Sequence, residues 1–173
     1  MTSRSTGSLW LPQRIVSGGQ TGVDRGALEA AIAIGIEHGG WCPRGRLSED
    51  GTIPSRYSLE ELVSPNYKVR TEQNVIDSDA TLILYERQFT GGTMLTSRLA
   101  EKWDKPCLVV RIDQSWDIGP VRTWLSEFRP ETLNIAGPRE STCQGIQQRS
   151  EAALLSIFSS TGPIKKKSKT VRR

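Results

Sequence analysis

The run Gly18-Gly19-Gln20-Thr21-Gly22 is followed, after Val23, by Asp24 and Arg25. Glycines have no side chain to block close approach, so such a loop lets backbone N–H groups meet an anion at the start of the helix that follows. A second run, Thr90-Gly91-Gly92-Thr93, follows an apolar stretch that ends at Tyr85. Phosphate is the natural occupant of both. The G-G-x-x-G spacing is neither the G-x-G-x-x-G dinucleotide fingerprint nor the G-x-x-x-x-G-K-[ST] nucleotide loop, which disfavours NAD and ATP bound in those two modes. The same glycines also suit plain strand-to-helix turns. Asp24 either caps the helix or contacts the ligand, and Arg25 either pairs with an anion or is a solvated surface charge.

The segment Gly39-Gly40-Trp41-Cys42-Pro43-Arg44-Gly45-Arg46 combines an aromatic plane, a thiol and two guanidinium groups. Trp41 can stack on a flat heterocycle while Arg44 and Arg46 offer paired donors to a phosphate. Cys42 is either a soft-metal ligand or a small buried apolar residue. Arg70-Thr71-Glu72-x-Asn74 adds a polar cluster at the expected start of a helix, where Thr71 also suits an N-cap. Cys107 falls in an apolar strand pattern and reads as inert, and Trp103, Trp116 and Trp124 read as packing. With one histidine, His38, the chain excludes zinc sites built on two or three imidazoles, and a His-dependent triad has only that residue to use. Three separated cysteines without a C-x-x-C pair argue against a disulfide framework and for a reducing compartment.

Short apolar runs alternating with helical patterns position these residues, the signature of a parallel sheet covered by helices. Strands are expected at Ile15–Ser17, Ile36–Trp41, Ala80–Tyr85, Pro106–Ile112 and Thr132–Ala136. Helices are expected at Asp24–Ile34, Thr71–Asp77, Gly91–Trp103, Pro120–Phe128 and Gln144–Phe158, with a long loop over 42–66. The expected fold is α/β, a Rossmann-like three-layer domain with a mainly parallel sheet of about five strands over residues 14–160. A flexible segment (1–13) precedes it and a disordered basic tail (161–173) follows. In such sheets ligands bind beyond the carboxyl ends of the strands, where strand order reverses. If the first and third strands are neighbours there, both Gly-rich loops face one crevice.

The chain has 173 residues, suited to one domain, and a formal charge of +4 from 23 basic and 19 acidic residues. Six of the basic residues lie in 165–173, so the remainder carries 17 against 19, a net of −2. The positive excess is a tail, and the partner implied for the domain is one small anion rather than a polyanion. No apolar stretch approaches the ~18 residues of a membrane span, and the first residues lack the apolar region of a signal peptide. A cytoplasmic location is the expectation, with an organellar presequence as the alternative.

The runs SGGQTGVDRGALEAAIAIGIEHGGWCPRGRLSEDGTIP, RTEQNVIDSDATLIL and TGGTMLTSRLAEKWDKPCLVV resemble the molybdenum cofactor carrier proteins. The resemblance spans about residues 14–160. It implies a Rossmann-like fold of the group containing the cytokinin-activating phosphoribohydrolases and the DNA-processing protein A family, and a homo-oligomer, tetrameric in characterised members. It implies binding, storage and transfer of the molybdenum cofactor (molybdopterin) without chemical turnover, with molybdoenzymes as receiving partners. The family's glycine-rich positions fall on Gly18, Gly19, Thr21, Gly22, Gly91, Gly92 and Thr93, and Arg25, Trp41, Arg44, Arg46 and Arg70 become pocket residues. Gln20, Asp24, Glu72 and Asn74 complete the expected cofactor-binding set; no catalytic or metal-ligating residue is assigned. The phosphoribohydrolase relatives carry PGGxGTxxE in the second loop, whereas Gly91-Gly92-Thr93-Met94-Leu95-Thr96 lacks the second Gly and the Glu. Two alternatives stand beside the carrier: an enzyme acting on a nucleotide or nucleotide-derived phosphate, with Glu72 or Asp24 as general base, and single-stranded nucleic acid binding aided by the basic tail.

Overall fold

The computed structural model describes residues 9–160; the basic tail and residues 1–8 of the expected flexible segment lie outside them. Residues 9–13 are tied to the body, since Trp10 Nε1 donates to Pro130 O at 3.0 Å and Gln13 N to Glu131 O at 2.9 Å.

The chain runs β1 (Arg14–Val16), α1 (Val23–Ile34), β2 (Glu37–Gly39), β3 (Trp41–Cys42), β4 (Leu47–Ser48), β5 (Gly51–Thr52), β6 (Glu60–Glu61) and α2 (Tyr67–Ile76). It continues β7 (Ala80–Tyr85), α3 (Gly91–Lys102), β8 (Cys107–Arg111), α4 (Ile118–Phe128), β9 (Thr132–Ala136) and α5 (Ile146–Phe158). Five strands form one sheet in the order β2-β1-β9-β7-β8, every pair parallel. β7 is almost continuously apolar because both of its faces are covered; residues 80–84 are buried.

Helices α1, α4 and α5 pack on one face, where Val23, Ala27 and Ala31 meet Ile146, Leu154 and Ile157 around Ile15, Leu82, Leu84, Leu133 and Ile135. α2 and α3 cover the other face through Val75, Leu99 and Ala100. This is the three-layer α/β arrangement, and the face changes between β9, whose helix α5 lies on the first side, and β7, whose helix α3 lies on the second.

β1 and β7 are not neighbours: the last strand, β9, lies between them, with Arg14 opposite Thr132 and Ala80 opposite Leu133. Counted with β9 first and then from β1 onward, the sheet order reads 3-2-1-4-5, the order of a nucleotide-binding Rossmann sheet. The ligand crevice therefore has three strand-to-helix loops around it rather than the two anticipated.

The 42–66 stretch is not a plain loop. The strand expected over 36–41 breaks at Gly40, where φ is +123° and a β-carbon would lie 2.2 Å from Ser17 O. Beyond the break, β3 pairs with β6 in parallel and β4 with β5 as a hairpin. Ile53, Tyr57 and Leu59 bury themselves with Leu28 and Cys42. α2 begins at Tyr67, capped by Asn66, whose side chain accepts from Lys68 N. Thr71 is thus an interior helical residue, its hydroxyl donating to Tyr67 O at 2.9 Å.

Candidate functional site

A cavity of about 930 Å³ opens at the crevice between β9 and β7, within the 300–1,000 Å³ usual for small-molecule sites. Three regions wall it: the β7–α3 loop and first turns of α3 (88, 90–96 and 98), the end of β9 and its following loop (134–139, 141, 142), and the start of α2 (66–68, 70, 71 and 74). To these the β1–α1 loop and the first turn of α1 add Gly18, Gln20 and Asp24. Of the expected residues the structure brings Gly18, Gln20, Asp24, Arg70, Asn74, Gly91, Gly92 and Thr93 together here.

The β7–α3 loop carries open backbone donors. Thr90 makes no side-chain cap at the start of α3, and among the described residues no acceptor takes the amides of Gly91, Gly92 or Thr93. They are the N–H groups that a helix leaves unsatisfied at its N-terminus and that an anion completes. Lys68, Arg70, Arg98 and Arg139 line the same cavity against one carboxylate, Asp24.

The β1–α1 loop meets the cavity through Gly18 and Gln20, with Asp24 just behind them. Gln20 N donates to Asp24 Oδ2 at 3.2 Å, and Gly18 also hydrogen-bonds that carboxylate through its backbone. Gly19 N donates to Ser17 Oγ, Thr21 N to Gln20 Oε1 and Val23 N to Pro138 O. The amides of Gly18, Gly19, Gln20, Thr21 and Val23 are thus committed within the chain, with the Asp24 carboxylate seated in the loop. Burial pushes the Asp24 carboxyl above its ordinary value of 3.8, and the facing Arg70 guanidinium only partly offsets this. Arg70 Nη1 donates to Asp24 Oδ2 at 3.2 Å. Its Nε is buried and unpartnered, as is Gln20 Nε2. The Gln20 carboxamide is oriented by two backbone N–H groups, Thr21 and Glu49, that donate to its Oε1 at 3.0 and 2.9 Å.

The other expected residues lie outside the cavity and have physical work of another kind. Arg25 grips Asp50 through both terminal nitrogens at 2.6 and 2.8 Å and reaches Ser48 Oγ and Gly19 O. Arg46 donates to four carbonyls, those of Ile53, Pro54, Tyr57 and Leu59. Both arginines brace the 42–62 excursion. Trp41 Nε1 donates to Asp77 Oδ2, and the Trp41 backbone is clasped by the Asn74 carboxamide at 2.8 and 3.0 Å. Arg44 is exposed and absent from the lining, its backbone N donating to Ser64 O at 3.0 Å. Glu72 is bound by Lys102 Nζ at 2.6 Å and Trp103 Nε1 at 2.9 Å, which removes it as a base for the cavity and places Trp103 on the surface. Gly19 packs beneath Leu59 and Ile53, and Thr21 donates its hydroxyl to Glu49. His38 Nε2 accepts from Ser58 N at 3.2 Å. Cys42 is buried among apolar side chains, which pushes its thiol up, and burial pushes Cys107 up to about 11. No three His, Cys, Asp or Glu side chains among the described residues are placed to hold a metal ion.

The sequence reading missed the β9–α5 loop, Gly137 to Gly145. Its Arg139 sits over the Tyr67 ring at 5.8 Å and 3.9 Å from Glu49. The signal available was positional: every strand of a parallel sheet presents a following loop at its carboxyl end, and Thr132–Ala136 is such a strand.

The model of the circularly permutated YpsA SLOG family matches residues 15–158. The chain belongs to this family. The displaced β9–α5 unit, last in this chain but first in the sheet's Rossmann order, gives the permutation a visible form. Among solved structures, the chain is similar to a candidate molybdenum carrier protein from Syntrophus aciditrophicus, at 42% identity and a TM-score of 0.81, over 85% of this chain and 94% of that one. No curated protein matches it. Among the described residues no helix is long and apolar enough to cross a membrane.

Proposed function

We propose that this protein binds the molybdenum cofactor, holding its terminal phosphate at the N-terminus of α3, and stores or hands on the cofactor without transforming it. The observation that carries this reading is the 930 Å³ crevice with the free amides of Gly91–Thr93 on one wall and Arg70 anchored beneath. Phosphate oxygens suit such N–H and guanidinium donors, and the cavity leaves room for a ring system beside them. The similarity to the Syntrophus aciditrophicus protein supports molybdenum cofactor as the cargo. Cofactor mixed anaerobically with the purified protein and passed through a desalting column should leave with it, seen as retained molybdenum by mass spectrometry and as pterin fluorescence after oxidation. Retention of neither, with nucleoside monophosphates binding instead, overturns the reading.

One observation favours a second reading. Asp24 is a buried carboxyl with a raised pKa in the cavity wall, the environment of an acid–base group. An enzyme that releases the base from a nucleoside monophosphate, and loses that activity in Asp24→Asn, would replace the carrier.

A further inference from the structure

Arg139 is placed differently from the arginines that brace the fold. Arg25, Arg46, Arg122 and Arg149 spend their N–H groups on carboxylates and carbonyls of the chain. Among the described residues the Arg139 guanidinium makes no hydrogen bond, yet it lines the crevice and is held on two sides. Glu49 Oε2 lies 3.9 Å from its Nη1, and the Tyr67 ring faces its Cζ at 5.8 Å. Both contacts act through charge rather than through a donated proton, so they orient the group and leave its five N–H donors uncommitted. The Arg139 backbone is fixed as well. A β-carbon on Gly22, where φ is +82°, would lie 2.8 Å from Arg139 Cα, so a side chain there would push the β9–α5 and β1–α1 loops apart. Val23 N donates to Pro138 O at 3.1 Å and Glu140 N to Thr21 Oγ1 at 3.2 Å, one on either side of Arg139. Glu49, on the β4–β5 turn and outside the crevice lining, is itself anchored: its carboxylate accepts from Thr21 Oγ1, Ser141 Oγ and, at 3.1 Å, Ser141 N. Burial works against its ionisation, but these hydrogen bonds, Ser141 ahead of Thr21, outweigh it and hold the carboxyl below its ordinary 4.5.

We propose that Arg139 is a ligand-binding residue of the crevice, and that Glu49 and Tyr67 are positioning residues that hold its guanidinium ready in the crevice wall before a ligand arrives; this rests on the crevice being an anion-binding site. A flexible arginine gives up rotamer freedom when it closes on a ligand, whereas one held in advance has already given it up. Its planar fork suits a pair of anionic oxygens. Glu49 aims this group rather than parking it away from the ligand, because Arg139 already faces the cavity while in contact with Glu49. No swing away from the carboxylate has to precede binding. The Arg139 side chain is 44% exposed, so its attraction to Glu49 is screened and too weak to compete with direct hydrogen bonds to an anion. At Tyr67 the contact uses the ring and not the hydroxyl, so phenylalanine serves there and leucine does not.

The test uses inorganic phosphate as the probe, titrated into the full-length protein by calorimetry at fixed ionic strength. The quantity read is the factor by which Arg139→Ala weakens binding, measured in the wild type and in three variant backgrounds. In the wild type it should be about tenfold, the size of one lost charge-assisted hydrogen bond. In Glu49→Gln and in Tyr67→Leu it should fall to about threefold or less, and in Tyr67→Phe, which keeps the ring, it should stay near the wild-type factor. A merely structural part for Glu49 or Tyr67 weakens binding in the same proportion with or without Arg139, and so leaves the factor unchanged. Two independent positioning variants keep the test intact if one of them does not fold, and residues 161–173 are the same in every protein and cancel in each ratio. A wild-type factor of about threefold or less, or a factor that stays above that in either folded positioning variant, overturns the proposal; a factor that rises in Glu49→Gln does so by showing that Glu49 competes with the ligand for Arg139. Absence of phosphate binding by the wild type overturns the anion-site reading of the crevice and the proposal with it, whereas phosphate binding with an unchanged factor overturns the proposal alone.

Discussion

At Gly18 a β-carbon would lie 1.8 Å from Arg70 Nη1 and 2.1 Å from its Cζ. The guanidinium therefore rests directly on the β1–α1 backbone, and only a residue without a side chain permits that seat. The clash is with the far end of a flexible side chain, so Gly18→Ala should fold while displacing Arg70 from Asp24 and from the cavity wall. Phosphate binding is expected to weaken about tenfold, ~1.4 kcal/mol, in a calorimetric titration; wild-type affinity in this variant would mean that Arg70 does not contribute to anion binding. Residue chemistry of this kind was only half legible in the sequence. Arg70 and Asp24 were identifiable as polar neighbours of a Gly-rich loop. That Asp24 fills the loop itself was not, because a carboxylate that contacts a ligand and one that replaces it have the same residue type and spacing. Arg46 shows the same limit: a guanidinium that ties down four carbonyls reads in sequence like one that awaits a phosphate.

The excursion between β2 and α2 is held by elements too short to announce themselves. Two-residue strands have no periodicity to read, so β3 to β6 merged into a loop, whereas the continuous apolar run of β7 and the helical spacing of α1 and α5 marked those elements plainly. The β4–β5 hairpin is clasped by Arg25, whose side chain is 9% exposed, onto Asp50, whose side chain is 50% exposed. Hydrogen bonds from Arg25 and then Ser48 hold the Asp50 carboxyl down at about 2, from an ordinary 3.8. Since the folded value lies below the unfolded one, this stabilisation is fully present above pH 3.8 and is lost as pH falls through 2. Solvent screening of the half-exposed carboxylate keeps it to about 1 kcal/mol. Asp50→Asn should lower the urea-unfolding free energy by that amount at pH 7, with the gap to wild type narrowing below pH 3.8. A gap that stays constant down to pH 3, or widens, contradicts the clasp.

For the whole molecule the decisive feature is that the central strand of the sheet comes last. β9 pairs on both sides, with β1 and β7, and its helix α5 packs on α1, so neither half of the sheet is complete until the final third of the chain arrives. Layer architecture and strand number followed from the alternation of apolar runs. Strand order did not, because five similarly apolar runs fit many orders and only pairing partners choose among them. The same topology shows how to undo the permutation. Arg122 donates to Ser159 O at 2.6 Å, and Trp10 donates to Pro130 O. Arg122 and Phe128 lie six residues apart on α4, about 9 Å at 1.5 Å each, and Pro130 follows two residues beyond the helix end, so both described ends of the chain are tied to this one short stretch. A linker of roughly six residues, at up to ~3.3 Å each, joins Ser160 to Trp10 without strain, and a new start at Glu131 places β9–α5 first. Because all sheet pairings and both helical layers survive, this chain should fold to the same structure, with a thermal midpoint within about 5 °C of the parent over residues 9–160, and should bind phosphate at the α3 N-terminus with unchanged affinity. It should also refold faster, since β9 and β1 become neighbours in sequence as well as in space and the loop closed to pair them shortens. Equal stability with slower refolding would show that β1–β9 pairing is not what limits folding, and loss of the folded state would show that the joined ends are farther apart than α4 allows.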